Sequence, residues 1–266
     1  MVVSFNCRDA YTDQPQRHHR LSTNPTPLPG LTTKETNLLC RKQLRLRTSA
    51  PEITALAASY GPHITTALKA TFIFTQHEAG TAVCVGPRGW ILTCAHCFGE
   101  SEEEWKAEKL KWLHSYEGIA VHVECVVWDC KRDLALARVV SVESEPGSKP
   151  GSEYTFIPIP LPDSSLLSST QTYTRTPILC TGQPGADDLE GLIRGSDRSL
   201  KHDAWTYWGH SGALLVCSDW GVLLGLHSSW DDETAMRHGV PGVAVVEFLG
   251  VHLPGLEEEI IVVDSD

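Results

Sequence analysis

The chain has 266 residues, and 41% of them are hydrophobic, which is enough to bury a sizeable core and too much for a disordered protein. The net charge is −11, divided into +5 over residues 1–50 and −16 over the remainder. An acidic body excludes a nucleic-acid partner, because phosphate binding needs concentrated positive charge.

The sequence also indicates a compartment. No apolar run approaches the roughly 18 residues that a membrane span needs, so no membrane partner is expected. The first residues lack a basic region followed by an apolar stretch, so no secretory signal is expected. An odd number of cysteines favours free thiols, and together these features predict an intracellular protein of the cytoplasm or nucleus. The nine cysteines are Cys7, Cys40, Cys84, Cys94, Cys97, Cys125, Cys130, Cys180 and Cys217.

The first half of the chain begins with residues 1–50, which are rich in Thr, Pro, Arg and His and predict a flexible N-terminal extension. Residues 51–70 are weakly helical, and Pro51 suits the first turn of such a helix. Ser101 and Glu104 stand at capping-box spacing and predict a short helix. Strand-like runs occupy residues 71–74, 81–85, 90–93, 110–114 and 119–127.

The second half continues with short strand-like runs. The segment 143–151 contains Gly and Pro and is the best candidate for a linker between two halves. Many short strands separated by Gly/Pro turns indicate an all-β sandwich or barrel. The later runs are residues 155–159, 174–181, 213–217, 222–227 and 243–248.

A histidine, an aspartate and a serine each stand at one end of an apolar run. His96 follows such a run and enters a turn, so its ring can face a cleft. Asp133 directly precedes another run, where a carboxylate needs a partner such as an imidazole N–H. Ser211 lies between two glycines ahead of a third run, which is the pattern of an exposed nucleophile on a tight turn. Taken singly, each is more often a surface, strand-start or loop residue.

The order of the three residues is more informative than any one of them. His96, Asp133 and Ser211 follow one another at separations of 37 and 78 residues, and this order is the chymotrypsin-like one. Gly209 lets the backbone turn its N–H outward, so the N–H groups of Gly209 and Ser211 can form an oxyanion hole. The hypothesis is a serine endopeptidase that acts on a polypeptide substrate and uses no cofactor.

Four segments resemble those of the trypsin-like peptidases, and most closely the HtrA/Deg branch without its PDZ domain. They are residues 80–96, residues 128–136, the turn that contains Gly182, Gln183, Pro184 and Gly185, and residues 203–212. The resemblance extends over about residues 51–248. It implies two six-stranded antiparallel β-barrels with few short helices: residues 51–150 carrying His96 and Asp133, residues 151–250 carrying Ser211, and an acidic tail over residues 251–266.

The sequence departs from the family pattern behind the serine. Ala213 replaces the usual second glycine and Leu214 the usual proline, which puts the geometry of the oxyanion hole in question. His210 stands where secreted trypsins carry an Asp that pairs with a newly cut N-terminus. Activation by cleavage is therefore not expected.

The resemblance also implies a primary substrate pocket. No acidic residue falls at the matching pocket floor, so a small or apolar side chain is expected in the substrate position before the scissile bond (P1). Ser228 falls where the family often places a residue that hydrogen-bonds the aspartate. The pocket residues implied are Trp205, Thr206, His227, Ser228, Ser229 and Trp230.

Two alternatives remain open at this point. One is a catalytically inactive barrel that acts as a binding module, which the substitutions at Ala213 and Leu214 permit. The other is a zinc-stabilised β protein, since Cys94, His96 and Cys97 lie close to one another in sequence and further cysteines follow. Because the cysteine spacing is loose, no metal ligand is assigned.

Overall fold

The fold was obtained as a computed structural model. It describes residues 31–75, 80–143, 154–159, 177–182, 190–196, 200–204, 206, 209–219, 221–231 and 236–263. The candidate linker at 143–151 lies almost wholly outside these residues, as does the turn from Gln183 to Gly185.

Two helices precede the strands: α1 (Thr33–Tyr60) and α2 (Pro62–Ala70). Helix α1 starts at a capping box, in which the Thr32 side chain accepts from the Glu35 N–H and the Glu35 carboxylate accepts from the Thr32 N–H. Pro51 lies inside α1, so the prediction that a helix begins there is wrong. The helix crosses the expected boundary at residue 50, because Leu39 and Leu46 are buried and anchor its first half.

The first barrel is closed, and its strands follow the order β1-β2-β3-β6-β5-β4 with all neighbours antiparallel. Its largest fully buried side chains include Trp90, Phe74 and Phe98, each of which contributes a few kcal/mol by leaving water. A short helix α3 (Glu102–Ala107) joins β3 to β4 and is capped by Ser101, as predicted. The strands are β1 (Thr71–Phe74), β2 (Thr81–Gly86), β3 (Trp90–Thr93), β4 (Leu110–Ser115), β5 (Ala120–Asp129) and β6 (Leu134–Val142).

The second barrel is also closed, in the order β10-β11-β12-β9-β8-β7. It is followed by helix α4 (Gly242–Val263), whose Val245, Phe248 and Leu249 are buried. The strands are β7 (Pro177–Thr181), β8 (Glu190–Ser196), β9 (Leu200–His202), β10 (Leu214–Cys217), β11 (Leu223–Asp231) and β12 (Met236–Pro241).

Two strand predictions fail in this half. Residues 243–248 lie in α4 and not in a strand, because a short apolar run fits a buried helix as well as a buried strand. The helix also continues past the expected boundary at residue 250. Residues 154–159 have no regular secondary structure, although Ile157 is fully buried and its N–H donates to Cys84 O at 3.0 Å.

The two barrels meet through hydrogen bonds around β2. The Thr81 N–H donates to Ser211 O at 2.7 Å, and the Thr81 hydroxyl donates to Gly209 O at 2.8 Å. The hydroxyls of Thr71 and Thr181 lie 3.0 Å apart across the same junction. The predicted fold class of two six-stranded antiparallel barrels is confirmed, although the terminal helices are longer than expected. Among the described residues, no helix is both long and apolar enough to cross a bilayer.

Candidate active site

His96 lies in a one-turn 3₁₀ helix (Ala95–Cys97) that follows β3 directly. The indole N–H of Trp128, at the end of β5, donates to Ala95 O at 2.9 Å and fixes this turn. The Trp128 ring stacks on Trp105 of α3, with ring centroids 5.7 Å apart. The His96 side chain is 30% exposed, so its turn is fixed while part of the imidazole ring stays accessible to solvent.

Asp133 lies at the start of β6 and turns its carboxylate towards His96. Its φ of 53° is in the left-handed region, which Asp tolerates better than most residues, and no other described non-glycine residue has a positive φ. Oδ1 lies 2.8 Å from His96 Nδ1 and also accepts from the His96 backbone N–H at 3.3 Å. Oδ2 accepts from the Ser228 hydroxyl at 2.7 Å. Both carboxylate oxygens are therefore hydrogen-bonded.

The ionisation of His96 and Asp133 is coupled. Burial lowers the pKa of His96, but the hydrogen bond and the negative charge of Asp133, helped by the charge of Glu100, outweigh it and raise that pKa above 6.5. Burial raises the pKa of Asp133, but the hydrogen bonds from His96 and Ser228 and the charge of His96 lower it below 3.8. Asp133 is thus ionised at neutral pH and holds the Nδ1 proton of His96, which leaves Nε2 as the free base nitrogen.

Ser211 lies in the turn between β9 and β10. Gly209 and Gly212 flank it with φ of 92° and 81°, values that favour glycine at both positions. A Cβ on Gly212 would overlap the carbonyl oxygen of Thr81 and the hydroxyl of Thr93. Ser211 O accepts a hydrogen bond from the Thr81 N–H. Strand β2 of the first barrel therefore holds the serine turn, which leads into β10 of the second barrel.

The Ser211 hydroxyl donates to the Ser228 carbonyl oxygen at 3.2 Å. Within the described residues it forms no hydrogen bond to His96. Ser228 therefore connects the two parts of the site: its carbonyl accepts from Ser211 and its hydroxyl donates to Asp133. Such a resting geometry is compatible with a catalytic serine, because these hydrogen bonds often tighten only when substrate binds.

The predicted oxyanion-hole donors are the N–H groups of Gly209 and Ser211. Neither donates a hydrogen bond to any other described residue. Ala213 and Leu214, the two departures from the family pattern, are fully buried. The Ala213 N–H donates to His210 O at 2.7 Å, and its carbonyl accepts from the His227 N–H at 2.8 Å. Ala213 therefore lies directly before β10, and Leu214 is the first residue of that strand.

A cleft of about 420 Å³ opens beside the His96 ring. It combines residues of both barrels and therefore lies at their junction. Its lining residues are Ala95, His96, Gly99, Glu100, Trp128, Cys130, Asp133, Ser228 and Ser229.

The predicted pocket residues fall into three groups. Ser228 and Ser229 line the cleft, and Trp230, 48% exposed, follows them along β11. His227 is buried, and its Nδ1 lies 3.1 Å from His202 Nε2. Thr206 accepts a hydrogen bond from Arg237 Nε at 2.9 Å. Trp205 lies outside the described residues.

The sequence did not predict three residues of this region. Trp128 supports the His96 turn, and His202 and Arg237 lie beside the predicted pocket residues. Trp128 lies in the aspartate segment, and the available signal was that a partly buried indole N–H needs a hydrogen-bond acceptor. Arg237 lies opposite Trp230 of β11 and opposite His202 of β9, so pairing between distant strands brings these residues together. No local sequence pattern predicts that pairing.

Cys94, His96 and Asp133 bring three metal-ligand atoms within 4.8 Å of one another. The donors do not suit zinc in this arrangement. Burial raises the pKa of the Cys94 thiol well above 9.0, so the thiolate that zinc needs is disfavoured. His96 Nδ1 and Asp133 Oδ1 are hydrogen-bonded to each other, and the Cys94 thiol donates to His227 O at 3.4 Å.

Comparison with curated proteins gives no match. Among solved structures, a serine endoprotease from Yersinia pestis is 19% identical with a TM-score of 0.49, over 71% of this chain and 64% of that one. The HtrA-type protease AlgW, solved with a decapeptide, is 17% identical with a TM-score of 0.47, over 65% of this chain and 52% of that one. The chain thus spans less than two thirds of either protein.

The family model described as a trypsin-like peptidase domain matches residues 80–226, which is more than half of the chain. The matched segment includes His96, Asp133 and Ser211. The chain therefore belongs to the trypsin-like peptidase family.

Proposed function

We propose that the protein is a serine endopeptidase in which Ser211 is the nucleophile, His96 the general base and Asp133 the residue that orients the base. The observation that supports this most directly is the hydrogen-bonded series from His96 through Asp133 to Ser228, which ends at the hydroxyl of Ser211. A half-buried carboxylate that holds one imidazole nitrogen leaves the other for proton transfer.

The first step requires a small movement of one side chain. Rotation about the Cα–Cβ bond of Ser211 would release the Ser228 carbonyl and bring the hydroxyl to Nε2 of His96. Ser211 Oγ then attacks the scissile carbonyl carbon while His96 accepts the hydroxyl proton. The released Ser228 carbonyl becomes an acceptor for a backbone N–H of the substrate.

The charge that develops on the substrate oxygen is stabilised by the N–H groups of Gly209 and Ser211. Each such donor contributes about 3 kcal/mol to transition-state stabilisation in related chemistry. His96 then gives its proton to the leaving amine, and water repeats the sequence to release the acyl group. Asp133 remains ionised throughout and stabilises the imidazolium.

A second candidate function is a binding module without turnover. The observation in its favour is that the Ser211 hydroxyl is hydrogen-bonded to Ser228 O and not to His96. Under this alternative the cleft still receives a polypeptide, but the serine is never activated.

Labelling with a fluorophosphonate probe distinguishes the two, because only an activated serine reacts readily. The proposed peptidase is labelled at Ser211, and labelling is lost in Ser211→Ala and strongly reduced in His96→Ala. Ser218→Ala is the matched control, since Ser218 is an exposed serine whose hydroxyl contacts Pro177 O. Equal labelling of the parent and Ser211→Ala, or no labelling of the folded parent, would contradict the assignment of the nucleophile.

A further inference from the structure

A buried arginine lies among the residues of the predicted primary pocket. Arg237 of β12 is only 8% exposed. Its Nε donates to the Thr206 hydroxyl at 2.9 Å, and its guanidinium lies 4.6 Å from the ring centroid of Trp230. Thr206 and Trp230 were both predicted as pocket residues, so the guanidinium contacts two members of the predicted pocket.

Strand pairing explains why Arg237 reaches this position. It lies opposite Trp230 of β11 and opposite His202 of β9, and residues directly opposite in antiparallel strands share one face of the sheet. His227 lies opposite Gly239, two residues further along β12 and on the same face. His202, Arg237 and Trp230 thus lie side by side on β9, β12 and β11, with the cation on the middle strand.

The groups around the guanidinium carry little negative charge. Asp203 is the acidic residue that acts on it, together with the thiol of Cys180, and the nearby imidazoles are His202, His227 and His238. Burial holds the pKa of His202 at about 4 and that of His227 at about 2, so both rings are neutral at pH 7. Among the described residues, Asp203 is thus the carboxylate whose charge acts on the guanidinium, and an entering carboxylate would add another.

The Thr206 hydroxyl supplies a further donor. Its oxygen accepts from Arg237 Nε, and its own proton donates to no other described residue. A carboxylate beside it would accept one hydrogen bond from the hydroxyl and further ones from the planar guanidinium, which matches carboxylate geometry. In contrast, a purely apolar side chain could accept neither hydrogen bond.

We propose that the primary pocket selects an acidic P1 residue, Glu or Asp, through Arg237 and Thr206. The proposal rests on the proposed peptidase function and differs from the small or apolar P1 residue expected from the sequence. That expectation considered the pocket floor alone, whereas Arg237 comes from a neighbouring strand.

The first test is a set of fluorogenic peptides that differ only at P1, with Glu, Asp, Gln, Leu and Lys. We expect kcat/KM for Glu or Asp to exceed that for Gln by about tenfold or more, since hydrogen bonds to charged groups are the stronger ones. Arg237→Gln should bring the Glu/Gln ratio close to one, and because both peptides are measured on the same variant, the ratio does not depend on how much of that variant folds. Equal or better cleavage of the Leu peptide by the parent overturns the proposal.

Lys201→Gln is the matched control for loss of a positive charge. Lys201 lies in β9 opposite His238, on the other face of the sheet from Arg237, so the Glu/Gln ratio should be unchanged. Because Arg237 is buried, its replacement can disturb folding. Thr206→Val keeps the cation but removes both the hydroxyl and the acceptor of the Arg237 Nε bond, so the melting temperature should fall modestly. Within the folded variant, the Glu/Gln ratio should fall severalfold.

A binding measurement separates the pocket from the chemistry. Cleaved products end in the P1 residue, so Ser211→Ala can be titrated by calorimetry with N-acetylated tetrapeptides that end in Glu or in Gln. The proposed pocket predicts that the Glu peptide binds more tightly than the Gln peptide and that this difference is lost in Ser211→Ala/Arg237→Gln. That result would support the pocket even if the fluorophosphonate probe fails to label the parent. Labelling of Ser211 together with equal binding of the two peptides overturns the pocket and leaves the peptidase function standing.

Discussion

The backbone carbonyl of Ser228 holds the hydroxyl of Ser211 at 3.2 Å, while the hydroxyl of the same Ser228 holds Asp133 at 2.7 Å. One residue of β11 thus contacts both the proposed nucleophile and the carboxylate that orients the proposed base. Since β11 belongs to the second barrel and Asp133 to the first, Ser228 also sets the distance between the two halves of the site.

Ser228→Ala tests this relationship. The change removes the hydroxyl bond to Asp133 and leaves the carbonyl that holds Ser211. We expect kcat to fall about fivefold to tenfold with little change in KM, because the carboxylate loses one of its partners while the substrate contacts remain. The measurement is steady-state hydrolysis of one peptide. Ser229→Ala, at the neighbouring cleft residue, is the control; a larger loss in that variant would contradict the role given to Ser228.

The pH dependence follows from the raised pKa of His96. The base must be neutral, so kcat/KM is low below that pKa, rises as the proton leaves and then reaches a plateau. Because Asp133 raises the pKa above 6.5, we expect the midpoint of the rise above pH 6.5. Asp133→Asn removes the charge of Asp133, the main negative charge that raises this pKa, and leaves burial, which lowers it, opposed by the charge of Glu100; the midpoint should therefore move down as the rate falls. A parent midpoint at or below pH 6.5 would contradict the coupling.

The sequence predicts the site better than it predicts the ends of the fold. His96, Asp133 and Ser211 are marked by glycines and strand ends, which are local signals, and the structure brings His96 and Asp133 into contact. The start of helix α1 differs from the prediction because Pro51 suits a first helical turn as well as a helix interior that lacks one N–H, whereas the Thr32/Glu35 capping box is the local signal of the true start. Arg237 depends on pairing between distant strands, which a single sequence does not specify. The intracellular location and the absence of a PDZ domain stay predictions.

Acid sensitivity is expected from His114 of β4. Its side chain is fully buried, and neither ring nitrogen has a hydrogen-bond partner among the described residues. Burial, with the positive charges of Lys42 and Arg47 on α1, lowers its pKa to about 3. The unfolded chain therefore binds this proton near pH 6.5 and the folded chain only near pH 3. Stability is full above pH 6.5 and decreases as the pH falls, by on the order of 2 kcal/mol at pH 5.

His114→Leu should remove that dependence. We expect its free energy of unfolding in urea to exceed that of the parent at pH 5 and to change less between pH 7 and pH 5, because no buried nitrogen remains to be protonated. His252→Gln, at a half-buried position on α4, is the control and should keep the slope of the parent. A slope in His114→Leu as steep as in the parent would show that other groups cause the acid sensitivity.

Gly212 is the residue on which the geometry of the serine turn depends most. Its φ of 81° disfavours any side chain, and a Cβ there would overlap the Thr81 carbonyl oxygen. The N–H of the same Thr81 donates to Ser211 O. Gly212→Ala should therefore lower the melting temperature and reduce fluorophosphonate labelling at least tenfold, since the turn must move away from β2. Gly250→Ala is the opposite case. Nothing lies within 4 Å of that position on α4, so it should raise stability by up to about 1 kcal/mol and leave labelling unchanged. Parent-like labelling of Gly212→Ala would mean that the turn tolerates the shift and that contact with β2 does not position Ser211.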